Sequence, residues 1–189
     1  PGAPGAENGA GQWLVTATDY DQDGRVVREL APEATSLVPA DGSMGIEQVN
    51  SLSTQTDYDA LGRVTDTWEP VREAAAGWNP RQPVRPHTRT TYDQGAPNSG
   101  INPATDKPYS LPTTITVSAA ETASTAKGSD LDTLSITQNG YDTVTGTTGN
   151  GWQLGTPTSV TTKDPWGFAP KPDVTTVTAY NADGQVAQN

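Results

Sequence analysis

The sequence predicts an all-β protein, an array of antiparallel β-hairpins with long loops and almost no helix. Three observations predict this fold class. A tyrosine followed by aspartate or asparagine occurs five times, threonine alternates upstream of it, and glycine follows it at the spacing of a turn. Threonine fits the pleated surface of a strand, whereas aspartate, asparagine and glycine are typical of turns.

The five tyrosines mark the centres of five degenerate repeats. They are Tyr20, Tyr58, Tyr92, Tyr141 and Tyr180, followed by Asp21, Asp59, Asp93, Asp142 and Asn181. In four copies threonine stands two and four residues before the tyrosine. Because alternate side chains of a strand point to the same face, these three residues share one face. We expect tyrosine, threonine, valine and tryptophan to form a thin aromatic and β-branched layer there.

A glycine four residues after the tyrosine predicts the turn itself. The glycines are Gly24, Gly62 and Gly184, and each is followed by a polar residue and valine. Aspartate at the first position and glycine at the fourth suit a type I turn closed by a left-handed glycine, with a G1 bulge. Each tyrosine would then end one strand and each valine begin its partner. One hairpin alone is marginally stable, so the hairpins must stack.

Long excursions replace the tight turn in the third and fourth copies. They run from about 94 to 110 and from 143 to 155, and lead into strands marked "PTTIT" (112–116) and "PTSVT" (157–161). Between copies we expect irregular connections at 31–45, 69–86 and 119–130. Only the short "REAAA" within 69–86 offers a helical turn, and it is too brief to be stable without packing.

The first copy also matches the opening of a calcium loop. Asp19, Asp21, Asp23 and Gly24 have the required spacing. However, the second copy has Leu61 in place of the third carboxylate, and the twelfth position of the loop is Leu30 rather than an acid. The sequence therefore favours turn chemistry and predicts no metal and no cofactor.

Composition limits the possible partners. The chain of 189 residues has a formal net charge of −11, which disfavours nucleic acid, and no apolar run long enough to predict membrane insertion. It contains no cysteine, which excludes disulfides and thiolate zinc sites. Residues 1–12 are typical of a flexible linker, and residues 13–189 form the repeat region. That opening also suggests a segment of a longer polypeptide, with its targeting signal elsewhere.

The stretch "TDYDALGRVTDT" (56–67) resembles the YD repeat of the rearrangement-hotspot (RHS) family, of the actinobacterial wall-associated or polymorphic-toxin type. The resemblance covers five units and implies that Arg25 and Arg63, after the turn glycines, belong to the repeat. It implies a spiral β-shell in a large secreted or cell-surface bacterial protein. The expected partners are neighbouring repeats of the same polypeptide and an enclosed C-terminal toxin domain. The expected role is structural and not enzymatic.

Other chemistry is sparse. The single histidine, His87, is predicted to lie in a surface loop, without the serine elbow that a hydrolase triad requires. The stretch "DPWGF" (164–168) is similar to the self-cleavage motif at the end of such shells. A Pro-Gly turn with Trp166 packed on the sheet explains it better, because another repeat follows.

The alternative function is an adhesive or carbohydrate-binding surface module. Five tryptophans are present, and Trp78 and Trp152 lie in long connections where an indole ring is able to stack on a sugar of a cell-surface glycan. A hydrolase is the third possibility. It requires acids from different repeats to converge, which the sequence does not indicate.

Overall fold

The computed structural model describes residues 15–76, 79–121, 130–141, 155–165, 172–181, 183 and 185–188. In these residues the prediction of an all-β, antiparallel fold is confirmed. Helix is confined there to α1 (Pro32–Leu37), α2 (Ile46–Ser51) and a 3-10 segment (Pro97–Gly100). The described strands are β1 Ala17–Tyr20, β2 Val26–Leu30, β3 Thr54–Tyr58, β4 Val64–Trp68, β5 Arg72–Ala76, β6 Asn79–Tyr92, β7 Ile101–Asn102, β8 Lys107–Pro108, β9 Pro112–Glu121, β10 Asp130–Gly140, β11 Ser159–Lys163, β12 Val174–Val177, β13 Ala179–Tyr180 and β14 Val186–Gln188.

Most of the described strands form one antiparallel sheet of ten. Its order is β1-β2-β3-β4-β6-β9-β10-β11-β12, and β5 pairs with β6 beside this path. The pairs β7-β8 and β13-β14 form two small sheets. Apart from β5, β7 and β8, the strands of the described chain from β1 to β12 lie in the large sheet in the order in which they occur in the sequence.

The predicted irregular connections are partly wrong. Residues 31–45 contain α1, which begins at Pro32 with Glu33 in its first turn, both favourable at a helix N-terminus. The next connecting residues form α2, where the Gln48 side chain accepts a hydrogen bond from the Gly45 N–H at 3.3 Å. Signals of helix starts were therefore present in the sequence.

The one connecting segment whose sequence offered a helical turn, "REAAA", forms a strand. Arg72–Ala76 forms β5 and pairs antiparallel with β6, so residues 69–86 contain a hairpin instead of an irregular connection. Five residues cannot sustain a helix alone, and pairing with β6 outweighs the helical preference of alanine. Strand β9 also extends into 119–130, as far as Glu121, and β10 begins at Asp130.

The buried residues differ from the predicted aromatic and β-branched layer. The apolar ones among the described residues are Leu30, Trp68, Val84, Ala96, Leu111, Ala119, Ala120, Tyr141 and Ala179. Nearly as many are polar, namely Asn50, Ser53, Gln55, Arg85, His87, Thr113, Ser118 and Thr158. Most threonines of the repeats are partly exposed. Several of the buried polar residues are joined by hydrogen bonds, among them Arg85 with Gln55 and Ser53.

Candidate functional site: the turn edge of the sheet

The turns after the repeat tyrosines form what we call the turn edge: Asp21–Arg25, Asp59–Arg63, Asp93–Leu111 and Asn181–Gln185, as far as these residues are described. In the first, the Asp21 N–H donates to the Arg25 carbonyl at 2.9 Å, and the Gly24 N–H donates to the Asp21 carbonyl at 3.1 Å. The second turn repeats both bonds at 2.9 Å. Gly24 and Gly62 have φ of 80° and 77°, the left-handed conformation that favours glycine.

The aspartate side chain closes each of these turns. Oδ1 of Asp21 accepts the backbone N–H groups of Asp23 and Arg25, both at 2.9 Å, and Oδ2 accepts Nε of Arg25 at 2.7 Å. Asp59 repeats the pattern at 2.9, 3.0 and 2.7 Å. Closure by the aspartate side chain needs only the backbone N–H of the residue two places later. This explains why Asp23 in one copy can be Leu61 in the next.

The carboxylates of the calcium-like stretch are paired with arginines. Arg25 binds Asp21 and also Asp23, at 2.8 Å, while Arg28 binds Asp19. Arginine guanidinium groups thus supply the positive charge that a calcium ion would supply in a calcium loop. Within the residues that the structure describes, no group of three or more metal-ligating side chains comes together.

These bonds shift the pKa of both partners. Backbone hydrogen bonding by Arg25, opposed by desolvation, holds the pKa of Asp21 below its usual value, and its Nε bond lowers it further. Desolvation raises the pKa of Asp59, but the bonds from the backbone and side chain of Arg63 outweigh it, so the net shift is downward. For Arg63, desolvation lowers the pKa, but the two carboxylates that it binds leave it above its usual value. Both turn aspartates are therefore ionised at neutral pH.

The fifth turn is closed by uncharged side chains in the same way. The Asn181 N–H donates to the Gln185 carbonyl at 2.9 Å, and Asn181 Oδ1 accepts the N–H groups of Asp183 and Gln185 at 3.0 and 2.9 Å. Its Nδ2 donates to Gln185 Oε1 at 3.1 Å, replacing the aspartate–arginine ion pair by a pair of amides. Gly184, predicted for this turn, lies outside the described residues.

The third turn keeps the closure despite its long excursion. The Asp93 N–H donates to the Leu111 carbonyl, and Asp93 Oδ1 accepts the Leu111 N–H, both at 2.9 Å. Leu111 thus takes the position of Arg25 and Arg63. Residues 94–110 leave the turn and return to the same point. Gly100 has φ of +80°, and a Cβ placed on it would lie 2.5 Å from the Cβ of Asp93. The close approach explains this glycine. Of the fourth turn, Tyr141 is described and Asp142 lies outside the described residues.

The tyrosine hydroxyls connect each described repeat to the one before it. In the first three bonds the acceptor is the carbonyl of the residue that begins the second strand of the preceding hairpin, and in the fourth it lies two residues before that strand. The bonds are Tyr58 to Val26 at 2.9 Å, Tyr92 to Val64 at 3.0 Å, Tyr141 to Pro112 at 3.0 Å and Tyr180 to Pro157 at 3.4 Å. The shared prolines of "PTTIT" and "PTSVT" are the acceptors in the last two.

The strand register is the same at these four described junctions. The residue two places after each acceptor lies opposite the residue three places before the bonded tyrosine. The pairs are Arg28 with Gln55, Asp66 with Arg89, Thr114 with Gln138, and Ser159 with Val177. Turn length therefore has no effect on how neighbouring repeats align. A junction is defined by one tyrosine, one carbonyl and one register.

At three of the described junctions, the residue before the acceptor covers the tyrosine ring. The guanidinium carbon of Arg25 lies 4.9 Å from the centroid of the Tyr58 ring, and that of Arg63 lies 4.5 Å from that of Tyr92. At the third junction Leu111 packs with Ala96 against Tyr141. Burial there raises the pKa of the Tyr141 phenol. The tyrosine ring is thus covered by a cation–π contact at the first two junctions and by an apolar contact at the third.

One arginine also links neighbouring turns. Nη1 of Arg63 binds Oδ2 of Asp93 at 2.6 Å, and Nε binds Asp59 of its own turn. Asp93 lacks an arginine in its own turn, because Leu111 occupies that position. Both side chains are mostly buried, with 20% and 13% exposed. The second carboxylate that Arg25 binds is that of Asp23, which belongs to the same turn.

Sequence reasoning missed a buried polar group at the other end of the strands. Arg85 is 1% exposed and donates to Gln55 Oε1 at 2.7 Å and to the carbonyls of Ser53 at 2.9 Å and Glu69 at 3.0 Å. Burial lowers the pKa of Arg85 to about 10. The buried arginine ties β6 to β3 and to the chain that flanks β3 and β4.

The prediction that His87 lies in a surface loop is wrong. His87 is 3% exposed within β6, stacks on Trp68 at 4.4 Å between ring centroids, and contacts Asp66 through Nε2 at 2.9 Å. Asp66 also accepts Arg89 Nε at 2.7 Å. Desolvation raises the pKa of Asp66, but these bonds outweigh it and leave the value lowered. Pro83 and Pro86 suggested a loop, yet Pro86 keeps a carbonyl that accepts the Glu69 N–H.

The predicted sugar-stacking residues, Trp78 and Trp152, lie outside the described residues, as does Trp166 of "DPWGF". No helix in the described part of the chain has the length and apolar character to cross a membrane. The chain matches no protein-family model and no curated protein.

Proposed function

We propose that the chain is a non-catalytic structural segment of a large secreted or cell-surface RHS/YD-repeat protein. In this proposal its hairpins form part of a β-shell that encloses or presents a C-terminal toxin domain. The proposal rests on the recurrence of one strand register at four described junctions. A wall of repeated hairpins requires the same contact between every pair of neighbouring hairpins. Repeat proteins gain stability from such nearest-neighbour interfaces.

The chemistry of the turn edge supports a passive role. At Asp21 and Asp59 both carboxylate oxygens accept hydrogen bonds from their own turns, and Asp93 binds Arg63 and two backbone N–H groups. Arginine covers one face of the Tyr58 and Tyr92 rings. These groups already hold the wall together, so they are poorly placed to serve as acids, bases or sugar-stacking rings.

The buried polar group supports the same role. His87 is enclosed by Trp68 on one face and bound by Asp66, so it has little access to a substrate. Arg85 likewise directs three bonds to protein acceptors. Both residues stabilise strand β6 in its place in the sheet.

The coding sequence on either side of residues 1–189 tests this proposal. We expect further copies of the Tyr-Asp-x-x-Gly-Arg pattern, followed by an unrelated C-terminal domain. Flanks without any such repeat would refute the shell. Glycan-array binding that is lost on replacing Trp78 or Trp152 by alanine, and kept on replacing the exposed turn residue Leu61, would instead favour the adhesive or carbohydrate-binding module.

A further inference from the structure

The two faces of the large sheet differ in charge. Opposed residues of antiparallel strands lie on the same face, so the register assigns each side chain to one of the two faces. One row consists of Thr56, Thr67, Thr88, Val117 and Ser135, from β3 to β10. The next row on that face consists of Thr90, Ile115, Thr137, Thr162 and Val174, from β6 to β12. We call these two rows the uncharged face, since neither contains an ionisable side chain.

The opposite side of the same strands, which we call the charged face, carries ionised side chains. One row across β3 to β11 includes Asp57, Asp66, Arg89 and Lys163. The side chains of Arg89 and Lys163 are 57% and 37% exposed. Removing such charges from water costs free energy unless each one is paired, so this face suits contact with solvent.

The uncharged face is open in the middle of the sheet. None of its side chains is buried, although most of them are β-branched and carry methyl groups. In the described part of the chain, β3, β4, β6 and β9 to β12 make their principal contacts with neighbouring strands and not with a second layer. The ends of the array are not the cause, because Thr88, Val117 and Thr137 lie on strands that have a neighbour on each side.

We propose that the uncharged face lines the inside of the shell and contacts the enclosed C-terminal domain, while the charged face meets the solvent. This rests on the proposed function, and it adds which face of the sheet meets the partner. An enclosed face is shielded from bulk water, where uncharged side chains lose less solvation than ions do. The methyl groups pack against apolar groups of the domain, and the threonine hydroxyls donate hydrogen bonds to its polar groups or accept them.

The size of the uncharged face favours a domain of the same polypeptide over a second copy of the chain. With about 4.8 Å between strands and about 6.7 Å between alternate residues, the two rows cover about 300 Å². A stable interface between separate chains buries about 800 Å² on each partner. A domain that the polypeptide itself joins to the wall has a high effective concentration there, so weak contacts are sufficient.

Labelling of single cysteines in the whole parent polypeptide tests the proposal. Thr162→Cys marks the uncharged face and Gln138→Cys marks the charged face, on the neighbouring strands β11 and β10. Both residues are exposed, so both cysteines should react with a maleimide carried on a large polymer when residues 1–189 are tested alone. In the parent, Gln138→Cys should keep its labelling and Thr162→Cys should lose most of it. A photo-crosslinker placed at Thr162, and not one at Gln138, should capture the C-terminal domain.

Three results would overturn the proposal. Labelling of Thr162→Cys in the parent as readily as Gln138→Cys would mean that the uncharged face is not enclosed. Protection of Gln138→Cys, with or without protection of Thr162→Cys, would mean that the charged face does not meet the solvent. Dimers of residues 1–189 that are lost in Thr162→Lys and kept in Gln138→Lys, measured by sedimentation velocity, would assign the uncharged face to a second copy. Each result leaves the proposed function intact where the flanking sequence carries further repeats, whereas flanks without repeats would refute the proposed function itself.

Discussion

Replacing Arg63 by alanine should destabilise the protein more than replacing Arg25. Both arginines bind the aspartate of their own turn and cover the next tyrosine, so these losses are nearly equal. The difference lies in their second carboxylate. Arg63 binds Asp93, whose side chain is 13% exposed, whereas Arg25 binds Asp23, whose side chain is 72% exposed.

The magnitude follows from burial. A hydrogen bond to a charged group contributes about 1.5–3 kcal/mol when both partners are shielded, but an exposed ion pair contributes about 0–1 kcal/mol. Asp93 keeps two backbone donors when the arginine is removed, Ser110 and Leu111. We therefore expect Arg63→Ala to exceed Arg25→Ala by about 1–2 kcal/mol in the free energy of unfolding.

Urea unfolding with a double-mutant cycle measures this difference. The cycle of Arg63→Ala with Asp93→Ala should give a coupling energy of about 1 kcal/mol or more, and most of it should persist in 1 M salt because the pair is shielded. The matched cycle, Arg25→Ala with Asp59→Ala, should give almost none, since no ion pair joins these two described residues. Equal losses for the two arginines, or equal coupling in both cycles, would refute the reasoning.

Three further predictions concern other parts of the structure. Gly62→Ala should lower the free energy of unfolding by about 1 kcal/mol because φ of Gly62 is +77°. Gly100→Ala should lower it more, since the added Cβ would lie 2.5 Å from the Cβ of Asp93. Urea midpoints measure both variants, and equal losses would contradict the close approach. Arg85→Ala should lower the free energy of unfolding by about 3 kcal/mol or more, because it leaves buried hydrogen-bond acceptors unpaired. Arg85→Met should recover only the part of this loss that comes from side-chain packing. An Arg85→Ala variant as stable as the parent would mean that the hydrogen bonds of Arg85 contribute little. Because the turn bonds hold the folded pKa of Asp59 below its unfolded value, the stabilisation is complete above the unfolded pKa and is lost as pH falls through the folded pKa. Asp59→Asn should therefore weaken the fall of the melting temperature below about pH 4, the region of an unfolded aspartate pKa, and an unchanged pH profile would count against the turn pair.

The turns were predictable because their chemistry is local. Aspartate, glycine and arginine lie within five residues, and their spacing is sufficient to predict the hairpin and the left-handed glycines. The bond from Tyr58 to Val26 depends instead on how two hairpins align, which spacing within one repeat does not indicate. Leu111 was not recognisable as the counterpart of Arg63 because the excursion of residues 94–110 separates it from Asp93.

The buried residues of β6 were missed for a different reason. Prolines and charges around Arg85 and His87 are typical of a surface loop, and strand prolines usually lie at an edge. Here Pro86 pairs through its carbonyl, and the long side chain of Arg85 reaches buried carbonyls. His87, Arg89 and Thr91 alternate with Thr88 and Thr90. This alternation was the available signal that the strand begins at His87 or before it.

Disulfide trapping across the junctions tests the central claim most directly, because the chain has no cysteine of its own. Residues directly opposite in antiparallel strands have Cα atoms about 4.5–5.5 Å apart, within the range of a disulfide, while diagonal neighbours are about 7–8 Å apart. Under mild oxidation, Cys pairs at Thr114 with Gln138 and at Ser159 with Val177 should each form a disulfide bond. The diagonal pair Thr114 with Ile136 should not. A diagonal pair that forms as readily as the opposite pairs, or opposite pairs that stay reduced, would contradict the shared register.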